Sequence, residues 1–79
     1  MPDSTDLKRK LRYAALAANA QPTERQLDEA VQELEKKAHV TKSDLFEVGR
    51  KVASNSEIFA STDIEDINNI LDQIRNKRK

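Results

Sequence analysis

The stretch Thr23-Glu24-Arg25-Gln26-Leu27-Asp28-Glu29-Ala30-Val31-Gln32-Glu33-Leu34-Glu35-Lys36-Lys37-Ala38 decides the fold. Leu27, Ala30, Val31, Leu34 and Ala38 recur at the three- and four-residue steps of one helix face. Thr23 and Gln26 ahead of that stripe have the spacing of a capping box, in which hydroxyl and amide each satisfy a backbone N–H. Arg25/Glu29 and Glu33/Lys37 sit four residues apart on the wet side and add a few tenths of a kcal/mol each at most. A helix over 24–38 follows.

The same grammar extends in both directions. Downstream, His39 and Val40 make a tight turn, and Thr41 with Asp44 opens a second capping box. Val40 and Leu45 have the spacing of a hydrophobic staple. Leu45, Val48, Gly49 and Val52 give a stripe for a helix over 42–54, with Asn55 as its left-handed stop. Upstream, Leu7, Leu11, Ala14 and Ala18 form a stripe that Leu16, Ala17 and Ala20 widen, so a helix is expected over 4–19 and a break from Asn19 to Pro22. Past a connector at 54–61, Thr62 with Glu65 is expected to cap a helix over 63–76, whose apolar face is Ile64, Ile67, Ile70, Leu71 and Ile74. One Gly and two Pro argue against a many-turned sheet protein. The expectation is a small all-α, four-helix single domain over 1–79, antiparallel or orthogonal, with no β-sheet and with mobile ends at 1–3 and 77–79.

Gly49 is the one residue that strains this pattern. A helix-interior Gly costs about 0.5–1 kcal/mol against Ala. On the core face it is expected to admit the Ala-rich first helix, or else to leave a notch for a partner side chain.

Composition narrows the chemistry. Seventy-nine residues allow one domain. Zero Cys removes disulfides, thiolate nucleophiles and Cys-ligated metal. No apolar run approaches membrane-spanning length and no signal-peptide pattern leads the chain, so no membrane partner and a cytoplasmic setting are expected. The single His, His39, has no second ligand or nucleophile beside it in the sequence, and a turn His is most simply a solvated one. Asp63, Glu65 and Asp66 suit a helix start and lack calcium-loop spacing. One Gly cannot build a phosphate loop. The chain has the length and helix count of acyl carrier proteins, but not their Asp-Ser-Leu attachment site: Asp3-Ser4 is followed by Thr5. No catalytic residue, cofactor or metal is expected, and the protein is read as no enzyme.

Three features could carry function. The first is charge polarity. Residues 1–19 hold four basic and two acidic side chains, residues 20–74 hold six and twelve, and residues 75–79 hold four and none. In an up-down-up-down bundle Lys8, Arg9, Lys10 and Arg12 would approach Arg75, Lys77, Arg78 and Lys79 as one anion-facing basic pole. A helix dipole and solvation explain the C-terminal half of it; cations near a helix start run against the dipole. The second feature is a helix-turn-helix in which helix 3 reads DNA through Thr41, Lys42, Ser43, Arg50 and Lys51. Asp44, Glu47 and the acidic middle of the chain weigh against it. The third is an apolar surplus. Tyr13, Phe46, Ile58 and Phe59 do not all fit the four stripes. They either close the end of a thin core or form a partner-binding patch.

The sequence therefore points to a small non-enzymatic regulator or adaptor acting by protein–protein binding. A helix-turn-helix DNA-binding regulator using helices 2 and 3 is the alternative, and a homodimerising role comes third.

Overall fold

The computed structural model describes residues 4–77, and side chains from 5 to 76. The expectation about the two ends, and Arg78, Lys79 and the side chain of Lys77, lie outside them. Four helices follow in order: α1 (Ser4–Ala17), α2 (Glu24–Glu35), α3 (Lys42–Ala53) and α4 (Ile64–Lys77). Among the described residues there is no strand. The main packings are α1 on α2, α2 on α3 and α1 on α4. The all-α, four-helix class expected from the stripes is the fold.

Two caps stand where the sequence puts them. Thr23 accepts from the Gln26 N–H and the Gln26 side chain accepts from the Thr23 N–H; Thr41 and Asp44 make the same reciprocal pair. The third differs. Asp63 caps α4, its Oδ1 accepting from the N–H groups of Glu65 (2.9 Å) and Asp66 (3.2 Å). Thr62 is one residue too early to cap and is buried instead, its hydroxyl without a partner. Burial takes Thr62 out of the cap position, and the Asp63 carboxylate, a strong acceptor at a helix start, fills it.

Helix ends also move. α1 stops at Ala17 because Asn19 turns left-handed (φ 57°), with Ala20 N–H bonded to Ala15 O and Asn19 N–H to Leu16 O. α2 stops three residues short of Ala38, which is exposed. The chain must turn there to drive Val40 into the core, where it is fully buried. Lys37, freed from the helix, pairs with Asp44 rather than Glu33. α3 ends in Ser54 (φ 52°), not Asn55. Asn55 instead orders the next turn: its side chain accepts from the Glu57 N–H and its carbonyl from the Ile58 N–H.

That turn is what Gly49 serves. A Cβ on Gly49 would lie 2.4 Å from the Asn55 carbonyl oxygen and 2.9 Å from Ile58 Cγ2. The close approach is by the α3–α4 connector, not by α1. It lets Ile58 and Phe59 enter the core beside Leu7, Leu11, Leu27, Leu34, Leu45 and Ile67. Val52 and Ile64, expected inside, are only partly buried against that core.

Candidate functional site

α1 holds its neighbours by one flank and leaves another bare. On the α2 side Lys8 meets Glu24 (2.6 Å) and Asp28 (2.9 Å), and Arg12 meets Glu24. These pairs run antiparallel along the two helices. Hydrogen bonds from Lys8 hold the Glu24 carboxyl below its ordinary range, and the same contact raises the Lys8 ammonium. On the α4 side Lys10 meets Asp66 at 3.2 Å. Arg9 pairs with Asp6 at 3.8 Å.

The outer flank carries Tyr13 and Leu16, the exposed large hydrophobic side chains among the described residues, at 63% and 50%. Three residues apart on a helix, they share a face. Leu16 and Ala17 were expected to widen the buried stripe; both are exposed, because α2 and α4 already cover the Leu7–Leu11–Ala14–Ala15 side. Two hollows lie along α1, and Tyr13 lines the first. One, of about 330 Å³, is lined by Asp6, Arg9, Lys10, Tyr13 and Ile70. The other, of about 410 Å³, has walls of Ala17, Ala18 and Ala60, with Phe46 beside them and Lys42 and Glu57 at its rim. Neither Lys42 nor Glu57 has an ion pair among the described residues.

The four residues of the apolar surplus therefore divide. Ile58 (3% exposed) and Phe59 (0%) are core residues, which corrects their place among the partner-binding candidates. A connector that folds back under Gly49 buries them. Tyr13 is exposed, and half-buried Phe46 lines the larger hollow. Leu16 belongs with these two and was missed, since its stripe position reads as core from the sequence alone.

The described cations named for a basic pole each have a partner in their own chain. Lys8 and Arg12 reach Glu24 at the start of α2, whereas the Arg75 guanidinium donates to the Lys37 and Ala38 carbonyls beyond its end and pairs with Asp72. Lys10 and Arg9 face Asp66 and Asp6. The described members of the pole are thus bound up within the chain, and Lys77, Arg78 and Lys79 are beyond the described side chains.

Of the residues named as DNA-facing, Thr41 caps α3 and Lys51 is held by Glu33 at 3.0 Å. Lys42, Ser43 and Arg50 are exposed. Asp44 occupies the start of α3, kept ionised below its ordinary range by hydrogen bonds from Thr41 and by nearby Lys37. A helix entering a groove with a carboxylate at its leading turn meets phosphate repulsion.

His39 is exposed at the edge of an open groove of about 840 Å³ shared with Asp63, Glu65 and Asp72. Among the described residues no cluster of His, Asp or Glu converges to hold a metal ion. Asn68, which no sequence pattern singled out, ties α4 to the α2–α3 turn. It accepts from the Val40 N–H (2.8 Å) and donates to the Val40 and Ile64 carbonyls (2.9 and 3.1 Å). No helix of the described residues is long and apolar enough to cross a membrane. Comparison with models of known families, with curated proteins and with solved structures found no match.

Proposed function

We propose that this chain is a small non-enzymatic binding protein, a regulator or adaptor in the cytosol, that presents the outer face of α1 to another protein. One observation carries the reading. Tyr13 and Leu16 keep their apolar bodies in water on one helix face, and Tyr13 lines a hollow of about 330 Å³ with Ile70. Large apolar side chains gathered in one patch, next to space that fits a side chain, are what a contact surface requires. DNA recognition has less behind it, since Asp44 leads α3 and Lys51 is tied to Glu33.

The test is affinity capture with two baits, the wild type and the Tyr13→Glu/Leu16→Glu variant. Proteins retained by the wild type and lost by the variant are the expected result. Identical capture by both baits, or a salt-sensitive mobility shift on duplex DNA that the variant preserves, overturns the reading.

A further inference from the structure

We propose that a hollow between α1 and the start of α2 is a binding site for a phosphoryl group. The hollow is about 220 Å³ in volume and is lined by Thr5, Lys8, Arg9, Arg12 and Glu24. Its four α1 residues follow one another at steps of three, one and three, so they make one stripe of that helix. Cations near a helix start run against the dipole, and solvation alone gives no reason to align them. In the fold, three of the four cations near the start of α1 come to line one concave surface. The site does not depend on the Tyr13–Leu16 contact face.

The ion pairs within the chain do not use this site up. Three cations line the hollow against one carboxylate; Asp28 and Asp6, which pair with Lys8 and Arg9, are not among its walls. Glu24 bridges two of the cations, one carboxylate oxygen to Lys8 (2.6 Å) and the other to Arg12. It holds the place of an anion from within the chain. With 62% of its side chain exposed, it is free to swing into solvent. Arg9 lies 3.8 Å from Asp6, longer than a hydrogen bond, and a guanidinium carries five donors in a fork that suits an oxyanion. A carboxylate ligand, with one charge and two oxygens, would only repeat what Glu24 supplies. A phosphoryl group carries about −1.5 to −2 charge and three acceptor oxygens. It takes over the two donors that Glu24 occupies and adds the guanidinium of Arg9.

The test is backbone amide NMR of the full chain, titrated with sodium phosphate and, separately, with sodium chloride and sodium acetate at equal ionic strength. Phosphate should shift the amides of Thr5, Lys8, Arg9, Arg12 and Glu24 and saturate with a Kd of about 1 mM or below. Chloride and acetate should not. Arg9→Ala and Arg12→Ala should each weaken phosphate binding about tenfold, with the helical circular dichroism retained. Lys36→Ala removes an exposed cation that pairs with Glu33, away from the hollow, and should change nothing. Glu24→Gln should bind phosphate more tightly, because the competing charge is gone. A peptide with a single phosphoserine is the second probe. Tighter binding than phosphate itself assigns the site to a phosphorylated side chain, and equal binding assigns it to free phosphate or a small phosphoester. Shifts that chloride reproduces, or that survive both Arg9→Ala and Arg12→Ala, overturn the site. A Glu24→Gln form that binds phosphate more weakly than wild type refutes the place-holding role on which the choice of a phosphoryl group rests.

Discussion

Helices α1 and α2 lie side by side, open in similar polar surroundings, and treat their apolar residues in opposite ways. α2 has Leu27, Ala30, Val31 and Leu34 on one stripe, and all four are buried between α1 and α3. α1 buries Leu7, Leu11, Ala14 and Ala15, then adds Tyr13 and Leu16 on the far side, where nothing among the described residues covers them. Burial of a large aliphatic side chain is worth about 1.5–3 kcal/mol. α2 realises that gain within the chain. α1 holds part of its apolar surface in reserve, the part that the proposed contact face would use.

The sharpest way to break that comparison is to truncate one leucine from each helix. Leu34→Ala in α2 should cost about 2–5 kcal/mol and can unfold a domain of this size. Leu16→Ala in α1 should stay within about 0.5 kcal/mol of wild type. Urea titrations measure both, and comparable losses would mean that Leu16 is covered and the reserve does not exist. Gly49→Ala tests the core from the α3 side. At an exposed helix position the change would stabilise. Here the new Cβ meets the Asn55 carbonyl, a backbone atom with little room to yield, so a loss of about 1–3 kcal/mol is expected. A gain in stability would show the connector to be free to move off α3.

Asn68→Ala leaves the Val40 N–H and C=O without their side-chain partner at a buried turn. A loss of about 1–3 kcal/mol is expected, with faster amide exchange confined to the turn around Val40. Uniform exchange across the chain would assign the bond no special part in joining α4 to the α2–α3 turn. The caps come next in size. Thr41→Ala should lose about 0.5–2 kcal/mol. Thr62→Val should lose nothing and is expected to gain slightly, because it removes a buried hydroxyl that no group satisfies. A loss at Thr62 equal to that at Thr41 would restore Thr62 as a cap.

These sites also show what a sequence reveals and what it hides. The stripes of α2, α3 and α4 and the boxes at Thr23 and Thr41 are local, set by spacings of three and four residues, and they were legible. Thr62 and Asp63 are adjacent, and both are good caps. Choosing between them depends on which one the core pulls inward, and that is a tertiary fact. Ile58 and Phe59 read as surplus because their burial depends on a turn folded against Gly49, which no periodicity encodes. Leu16 failed for the converse reason: it lies on a helix with two neighbours, and the angle between those neighbours decides which part of a wide apolar stripe stays wet. Asn68 gave no signal at all, because an Asn on a helix is ordinary until its partner across the fold is known. The candidate face was thus half visible, through Tyr13, and its completion by Leu16 and the hollow beside Ile70 needed the fold.

The smallest expected effect concerns the polar flank that fastens α1 to α2. Glu24, Glu33 and Asp44 all titrate below their ordinary range, Glu24 through hydrogen bonds from Lys8 and Glu33 through those from Lys51 and Lys36. A carboxyl whose folded value is depressed contributes stability that is present above its unfolded value, about 4, and is lost as pH falls through the lower folded value. Lys8 is raised, so its contribution is full below about 10.4 and is lost only as pH climbs through a still higher value. Stability should therefore be level between about pH 5 and 10 as far as these groups govern it, and should fall on the acid side first. Glu24→Gln should flatten the acid limb and bring Lys8 back toward its ordinary value, leaving it Asp28 alone. Glu24 is exposed and Lys8, Glu33 and Asp44 are partly so, so each effect is small and salt should erase much of it. Melting temperature against pH at low and high salt reads all of this. An acid limb that Glu24→Gln leaves parallel to the wild type would show that α1 is held to α2 by its buried leucines alone, which would make the contrast between its buried and bare flanks the whole account of that helix.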